Sequence, residues 1–445
     1  FVVEAFRRMG GNDMRTRRFR DARLLAAAIV PLVVGLGGGG ADAGGGDTLR
    51  LWHYEGPNSA MGVAWAAAIE RFEEEHPGVT VEFEEKGFEQ IRQSGGMILN
   101  SDEAPDILEY NKGNAAAGLI ASQGLLTDLT EVVEERGWDE LISPSLQTTA
   151  RYDEDGVMGS GPWYGVPNYG EFVMVYYNQD LFEEHGVEVP TTLEEFEAVM
   201  DTFVQADVTP LAVGGSEYPA QQIFYELALS QADRDWINAF QLYDGEVDFH
   251  DDAFTFGAER FAEWVEKGYI SGDSAAINAE DMGVSWTQGE FPILISGSWW
   301  YGRFLDEISD FEWGTFLFPG NEFHPGSSGN LWVVPERAEN KDLAYDFIEI
   351  TMSPEIQALL GNNGGLPVAA DAADITDPDS LELVENFQTI LDADGLAFYP
   401  DWPAPGYYDV LVANVQELIN GTKDPSDFLD SIAEPYETNR EAIGR

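Results

Sequence analysis

Cysteine is absent from the 445 residues. Without it there is no disulfide, no thiolate metal site, no cysteine nucleophile and no lipidated cysteine anchor. Histidine is scarce. The five residues (His53, His76, His185, His250, His324) are scattered and never pair at metal-ligand spacing, so no metal site is expected. Basic residues are scarce too, with 23 Lys and Arg against 81 Asp and Glu. So acidic a surface repels nucleic acid and anionic lipid head groups, and neither is expected as a partner. The apolar run Leu24 to Leu36 has 13 residues, short of the roughly 20 that span a bilayer. Catalytic and nucleotide motifs are missing as well: there is no G-x-S-x-G, H-E-x-x-H, G-x-x-x-x-G-K-[ST] or dinucleotide fingerprint. Asp153-Glu154-Asp155-Gly156 lacks calcium-loop spacing and is an acidic surface turn. Neither a cofactor nor a catalytic residue is expected.

What is present is ample apolar material: 44% hydrophobic residues, with 12 Trp, 17 Tyr and 26 Phe. At this length two or more domains are expected. The charge is spread along the chain, since residues 47–445 hold 16 basic and 77 acidic side chains. Self-repulsion of that size is tolerable where salt shortens the screening length, which points to a high-salt habitat. Met14 to Ala43 has the pattern of an export signal. A basic region (Arg15, Arg17, Arg18, Arg20, Arg23) precedes the apolar run, and Ala41-Asp42-Ala43 offers a cleavage site. Residues 1–13 are expected to precede the true start, and Gly37 to Gly46 to be a flexible tether.

The central stretch is Trp163 to Asn178, WYGVPNYGEFVMVYYN. Turn residues Gly165, Pro167 and Gly170 lead into Phe172 to Tyr177, a run apolar on both faces and so a strand inside a sheet. Ahead of it, strands at 48–54, 79–83 and 105–108 alternate with helices at 61–76, 89–100 and about 114–123, which argues for a parallel sheet covered by helices. Behind it the rhythm resumes. Thr192-Leu193-Glu194-Glu195 fits a capping box, strands are expected at 211–214, 291–295, 313–318 and 331–334, and helices at 220–232 and 254–267. Ser353-Pro354 opens a helix with proline at its first position. The C-terminal part is helical over about 381–391, 408–420 and 425–440. Trp52 and Trp313 lie within strands and are assigned to core.

Aromatic and amide side chains collect just after expected strands, where open α/β sheets bind ligands. They are His53, Tyr54 and Glu55 with Asn58 and Ser59; Tyr110, Asn111 and Lys112; Glu217 and Tyr218; and Trp299, Trp300 and Tyr301, while Tyr169 and Glu171 flank the crossing and Trp402, Tyr407 and Tyr408 sit ahead of a late helix. Flat rings beside neutral and acidic hydrogen-bonding groups suit a sugar, with its apolar C–H faces and rim of hydroxyls. An aromatic after a strand also has a bland use in core packing. For Glu55 and Glu217 the bland use is generic surface acid, and for Lys112 a surface ion pair.

The segments LRLWHYEGPN, APDILEYNKGNAAAGLIASQGLLTDL, YGVPNYGEFVMVYYNQDLFEEHGVEVPTTLEEF, SWTQGEFPILISGSWWYG and WVVPERAENKDLAYDFIEITMSPEIQALL, in that order, resemble family 1 of the extracellular solute-binding proteins of carbohydrate ABC transporters. The resemblance covers about residues 47–440. It implies a two-lobed periplasmic-binding-protein fold with the layout of maltose-binding protein, each lobe a β-sheet covered by helices. Three crossings, near 167–170, 328–334 and 375–380, would join the lobes. The implied boundaries are 47–167 plus 334–377 for the N-terminal lobe and 168–333 plus 378–445 for the C-terminal lobe. The family's binding positions carry over to the loop at 53–59, to Tyr110 through Asn114, and to Glu171, Glu217, Tyr218, Trp299, Tyr407 and Tyr408. They also suggest Gly329 and Asn330 at the second crossing and Gly365 in the NNGGLPV loop. The chain departs from the family in lacking the lipidated cysteine of many relatives and the Asp-Lys pair of maltose-type members in the 53–59 loop.

The expected activity is non-enzymatic: a monomeric, exported receptor that closes on a mono- or oligosaccharide and delivers it to membrane permease subunits of an ABC importer. Trp299 and Tyr407 would supply ring stacking from one lobe, and Asn58, Tyr110 and Asn111 hydrogen bonds from the other. The rivals are a same-fold binder of a polyamine or glycerol phosphate, and a secreted glycoside hydrolase.

Overall fold

The computed structural model describes residues 48–370 and 372–445. The export signal and tether expected over residues 1–46 lie outside the described residues. Strand β1 (Thr48–His53) alternates half-buried and buried positions and directs Leu49, Leu51 and His53 inward. Trp52, on its other face, is only partly buried and lies under the Lys86 ammonium at 4.5 Å, so it is not the core residue expected. The helix Ala60–Glu75 follows, with Ser59 Oγ accepting the Gly62 N–H as its cap. It buries Trp65, Ala68 and Phe72, and its end is marked by His76. Strand β2 (Thr80–Glu85), helix Phe88–Leu99 and strand β3 (Ile107–Tyr110) complete the expected β-α-β-α-β unit.

The helix expected at 114–123 differs. Asn114–Gly118 is a wide π-type turn, and only Leu119–Ser122 is α-helical. Two fixed contacts account for the widening. The Asn114 amide is tied to other backbone on both sides, and Gly118 lies so close to the Gly156 carbonyl that a Cβ would fall 2.0 Å from it.

A short hairpin, β4 (Arg151–Tyr152) with β5 (Met158–Trp163), leads to β6 (Val166–Pro167) and then β7 (Gly170–Asn178). The second half adds β8 (Leu211–Ala212), β9 (Ile293–Gly297), β10 (Trp313–Phe316), β11 (Gly326–Ser328) and β12 (Leu331–Val333). Two five-membered assemblies result. In the first the order is β2-β1-β3-β12-β6; in the second it is β10-β7-β9-β8, with β11 beside β7. Neither sheet is purely parallel, as the rhythm suggested: β12 runs antiparallel to β3 and β6, and β7 antiparallel to β9 and β10. These strands enter from the other half of the chain, so no βαβ crossover sets their direction.

The chain passes from first sheet to second at Asn168-Tyr169 and returns at Gly329-Asn330. The second change lies earlier than the expected boundary at 333/334, because Leu331 and Val333 pair with Tyr110 and Leu108 of β3. At the two changes the backbones touch: the Gly329 N–H donates to the Tyr169 carbonyl at 2.6 Å. A Cβ at 329 would sit 2.3 Å from the Tyr169 ring, so only glycine fits.

Each sheet is packed by its own aromatic set. Trp332 of β12 meets Trp65 edge-on at 5.3 Å and Phe347 of the helix Lys341–Thr351 at 5.6 Å. In the second half Tyr176 of β7 packs on Phe304 and Trp313, the latter half-buried. The helix opened at Thr192 has its cap, with Thr192 Oγ1 accepting from Glu195 N at 3.2 Å. The return bond goes one residue further back, from Thr191 N–H to Glu195 at 2.8 Å. Helices Arg234–Leu242 and Ala279–Thr287 were not anticipated. Proline opens Pro354–Gly361 as expected. Among the described residues no helix is long and apolar enough to cross a membrane.

Candidate functional site

A cavity of about 540 Å³ opens between the two sheets. From the first half come Tyr54, Glu55, Asn58 and Ser59 at the end of β1, Phe88 after β2, and Asn111 and Lys112 after β3. From the second come Tyr218, Gln221 and Gln222 after β8, Trp299 and Trp300 after β9, and Tyr399, Asp401, Trp402 and Tyr408 from the C-terminal segment. Tyr169, Glu171 and Asn330, at the two changes of sheet, form the floor. Most contributors directly follow a strand, where main-chain groups end their ladder and side chains are free to turn into the gap.

The floor is a connected polar set. Lys112 and Glu171 form a buried ion pair, and the Lys112 ammonium also donates to Asn330 Oδ1 at 3.5 Å. Asn330 Nδ2 donates to the Tyr169 hydroxyl at 2.8 Å, which in turn donates to Glu55 at 3.4 Å. Tyr399 and Trp402 present their rings to the same ammonium at 5.6 and 5.3 Å. Glu55 is buried without a cationic partner of its own; burial first, and then the Glu171 charge, raise its pKa to about 7. Behind it the fully buried Glu109, which accepts from Asn168 Nδ2 at 2.9 Å, is pushed well above the carboxylate range by burial and by Glu55. Burial likewise lifts Asp401 to about 6. At the mouth Arg303 is held by Glu280 through two bonds of 2.8 Å and by Glu307 at 2.9 Å.

Three polar atoms on aromatic residues that line the cavity have no hydrogen-bond partner among the described residues: Tyr54 Oη, Trp300 Nε1 and Tyr408 Oη. The Tyr399 hydroxyl is partnered by Glu171, and the Trp299 side chain by the Tyr218 hydroxyl. Buried polar atoms left unpaired are costly, and a cluster of them around one gap suits a ligand rich in hydroxyls.

Of the residues singled out in the sequence, fourteen line this cavity: Tyr54, Glu55, Asn58, Ser59, Asn111, Lys112, Tyr169, Glu171, Tyr218, Trp299, Trp300, Asn330, Trp402 and Tyr408. Seven do not. His53 ends β1 and stacks on Phe83 at 4.1 Å; its Nδ1 accepts the Glu55 N–H, and burial drops its pKa to about 3. Tyr110 packs behind the cleft against Gly95. Asn114 is a strut, donating to the Gln241 carbonyl and accepting from Met158 N, both at 2.9 Å. Glu217 accepts the Ala279 N–H at 3.1 Å at the start of a helix. Gly329 makes room for the Tyr169 ring, and Gly365 packs on Leu360 and Ala60. Tyr407 is buried 6.3 Å from Phe240, so the ring stacking expected of it is unavailable. Its neighbour Tyr408, about 100° further round the helix, reaches the cavity instead.

Glu55 and Lys112 also depart from their bland readings, since both are buried at the floor rather than solvated. The main contributors not singled out are Phe88, Gln221, Gln222, Tyr399 and Asp401. Phe88 follows β2 and obeys the post-strand rule already applied elsewhere. No strand precedes Tyr399, and nothing local in the sequence marks it.

The profile described as bacterial extracellular solute-binding protein matches residues 56–358. The chain belongs to that family. A probable sugar-binding periplasmic protein of Rhizobium meliloti (strain 1021) is 24% identical to this solute-binding protein over 270 residues, which cover 58% of this chain and 61% of the relative. The match thus spans about three fifths of that relative's length. The xylose/arabinose-binding protein XacG of Haloferax volcanii is 23% identical over 366 residues, covering 77% and 73% of the two chains. Among solved structures, a chitin oligosaccharide binding protein superposes with a TM-score of 0.74 at 21% identity, covering 90% of this chain and all of that one (100%). A solute-binding protein of Thermotoga lettingae bound with α-D-tagatose gives 0.73 at 17% identity, covering 89% and 100%. At such identities the likeness establishes the fold, that of the two-lobed α/β solute-binding proteins.

Proposed function

We propose that this solute-binding protein is an exported receptor that captures a mono- or oligosaccharide between its lobes and passes it to an ABC permease. The observation that carries it is the ring-lined cavity of about 540 Å³ with three unpartnered polar atoms, Tyr54 Oη, Trp300 Nε1 and Tyr408 Oη, on residues that line it. Aromatic faces stack on sugar C–H surfaces while the hydroxyl rim takes the free polar atoms. The relatives named for sugars support the same choice of ligand.

The lobes follow the sheets. One comprises residues 48–167 with the segment from Asn330 to about 377; the other comprises 170–328 with the C-terminal helices. Asn168-Tyr169 and Gly329-Asn330 act as hinge crossings, with a third near 375–380. A ligand touching both lobes has its full set of contacts only when they are closed, so it shifts the population toward the closed form. The protein is a monomer that does no chemistry on its ligand; the permease's partner ATPase supplies the energy. Its acidic surface suits high salt, and export places it outside the cytoplasm.

Calorimetric titration of purified protein with neutral mono- and oligosaccharides tests this. Stoichiometric binding with no product formed is expected. Turnover of the saccharide would make the protein a hydrolase, and no binding across a broad panel at high salt would end the sugar assignment.

A further inference from the structure

Beside the main cavity lies a pocket of about 50 Å³ that shares Tyr54, Phe88 and Asn111 with it. Those three residues form the rim between the two spaces. Beyond the rim the pocket is walled by Ile91, Tyr110, Ala115 and Ala116, which do not line the main cavity. Its volume has room for a branch of about three or four non-hydrogen atoms.

The pocket is chemically graded. Its far end is largely apolar, with the Tyr110 hydroxyl lying against Gly95, and so is a poor place for water, which needs two to four polar partners. Its rim carries two free polar groups. Asn111 Oδ1 accepts the Lys112 N–H at 3.0 Å, which turns the amide so that Nδ2 has no partner among the described residues. Tyr54 Oη is buried and unpartnered. Arg92 also borders the space, but its guanidinium is committed to Glu89 at 2.8 Å and Asp409 at 2.9 Å and lies over the Tyr408 ring. No other charge lines the pocket.

A group that matches this gradient has an acceptor near its attachment point and a methyl beyond. An acetyl branch has that order: the carbonyl oxygen would accept from Asn111 Nδ2 and the Tyr54 hydroxyl, and the methyl would rest on Ile91, Ala115 and Ala116. A hydroxymethyl branch is shorter and would leave the apolar end unfilled. Resting on the sugar-receptor function proposed above, we infer that the side pocket is a specificity subsite for an acetyl substituent, so that the preferred ligand is an N- or O-acetylated saccharide.

Matched pairs test this by calorimetry with the full chain at high salt: chitobiose against cellobiose, which differ by acetamido in place of hydroxyl at C2, and acetylated against saponified xylo-oligosaccharides, which differ only in acetylation. In at least one pair the acetylated member should bind about tenfold or more tighter, the scale on which a filled apolar subsite discriminates. Ala116→Leu, which fills the pocket's end, should draw that ratio toward one while the thermal midpoint stays near the parent's. Equal or weaker binding of the acetylated members overturns the inference and leaves the receptor function standing, as does binding of unacetylated sugars alone. An unchanged ratio in Ala116→Leu also overturns it. Failure of every saccharide, in these pairs and in the neutral panel, would instead remove the receptor function itself.

Discussion

Lys112 and Glu171 meet as a buried ion pair although one follows the last parallel strand of the first sheet and the other opens the second. The contact sits where the two halves join, and the ammonium is further enclosed by Tyr399 and Trp402. Removing only the cation leaves Glu171 buried beside Glu55 with nothing to offset either charge. Lys112→Met should therefore destabilise the protein by about 3–5 kcal/mol. Lys112→Met with Glu171→Gln should recover much of that loss. Urea denaturation of the four members of the double-mutant cycle measures it; additive effects would mean that the pair is not coupled.

Trp299 stands half-buried between Tyr218 at 5.7 Å and Tyr399 at 6.2 Å, and its ring covers the space where Gly297 has no side chain. Trp299→Ala should weaken saccharide binding about thirtyfold or more, equivalent to about 2 kcal/mol. Its thermal midpoint should stay within a few degrees of the parent's. Calorimetry paired with a melting curve separates the two effects, and unchanged affinity would make Trp299 a packing residue only.

Gly113 adopts φ +91°, and a Cβ there would fall 2.6 Å from the Trp402 ring. Gly113→Ala should cost about 2 kcal/mol or more, from backbone strain and from displacing that ring. Because Trp402 lines the cavity, affinity should fall together with stability. Tryptophan fluorescence should report the moved ring.

The Glu55 carboxyl is held at about 7 in the folded protein, above its ordinary value. Between about pH 4.5 and 7 the folded state then binds more protons than the unfolded state, so this group makes stability fall as pH rises through that window. Glu55→Gln removes the contribution. Relative to the parent, the variant should gain on the order of 2 kcal/mol at pH 8 and little at pH 4. Melting curves from pH 4 to pH 8 would show the gap widening with pH; a constant gap would mean that Glu55 is ionised throughout.

The 77 acidic and 16 basic residues of positions 47–445 predict a strong salt dependence. Raising the salt from 0.1 M to 2 M should lift the thermal midpoint by more than ten degrees, as the Debye length contracts from about 10 Å to under 3 Å. Full stability in dilute buffer would contradict it.

Periodicity and turn chemistry were enough to place most strands and helices within a few residues. Those signals depend only on which face of a short segment is apolar and on where the backbone must stop. Helices Arg234–Leu242 and Ala279–Thr287 carry local signals of their own, Asp233 accepting from Trp236 N at 2.9 Å and Asn278 from Asp281 N at 2.7 Å as caps, and they pack through Phe240 and Trp286. The direction of β12 and of β7 was not legible, because a strand's own residues do not say which neighbour it will pair with.

For the site, the rule that ligand groups follow strands was sufficient to pick out Tyr54, Lys112, Tyr218 and Trp299 from composition and order alone. It could not separate Tyr408 from Tyr407, one facing the cavity and the other the core, nor find Tyr399. The sequence by itself determined the two α/β halves, the acidic surface and the stock of rings and amides at strand ends. Only the tertiary structure decided that Glu55 and Lys112 are buried, that Lys112 pairs with Glu171, and that a small pocket opens behind Asn111. Those facts depend on groups distant in the chain being brought within a few ångströms, where loss of water changes what each charge and hydroxyl can do.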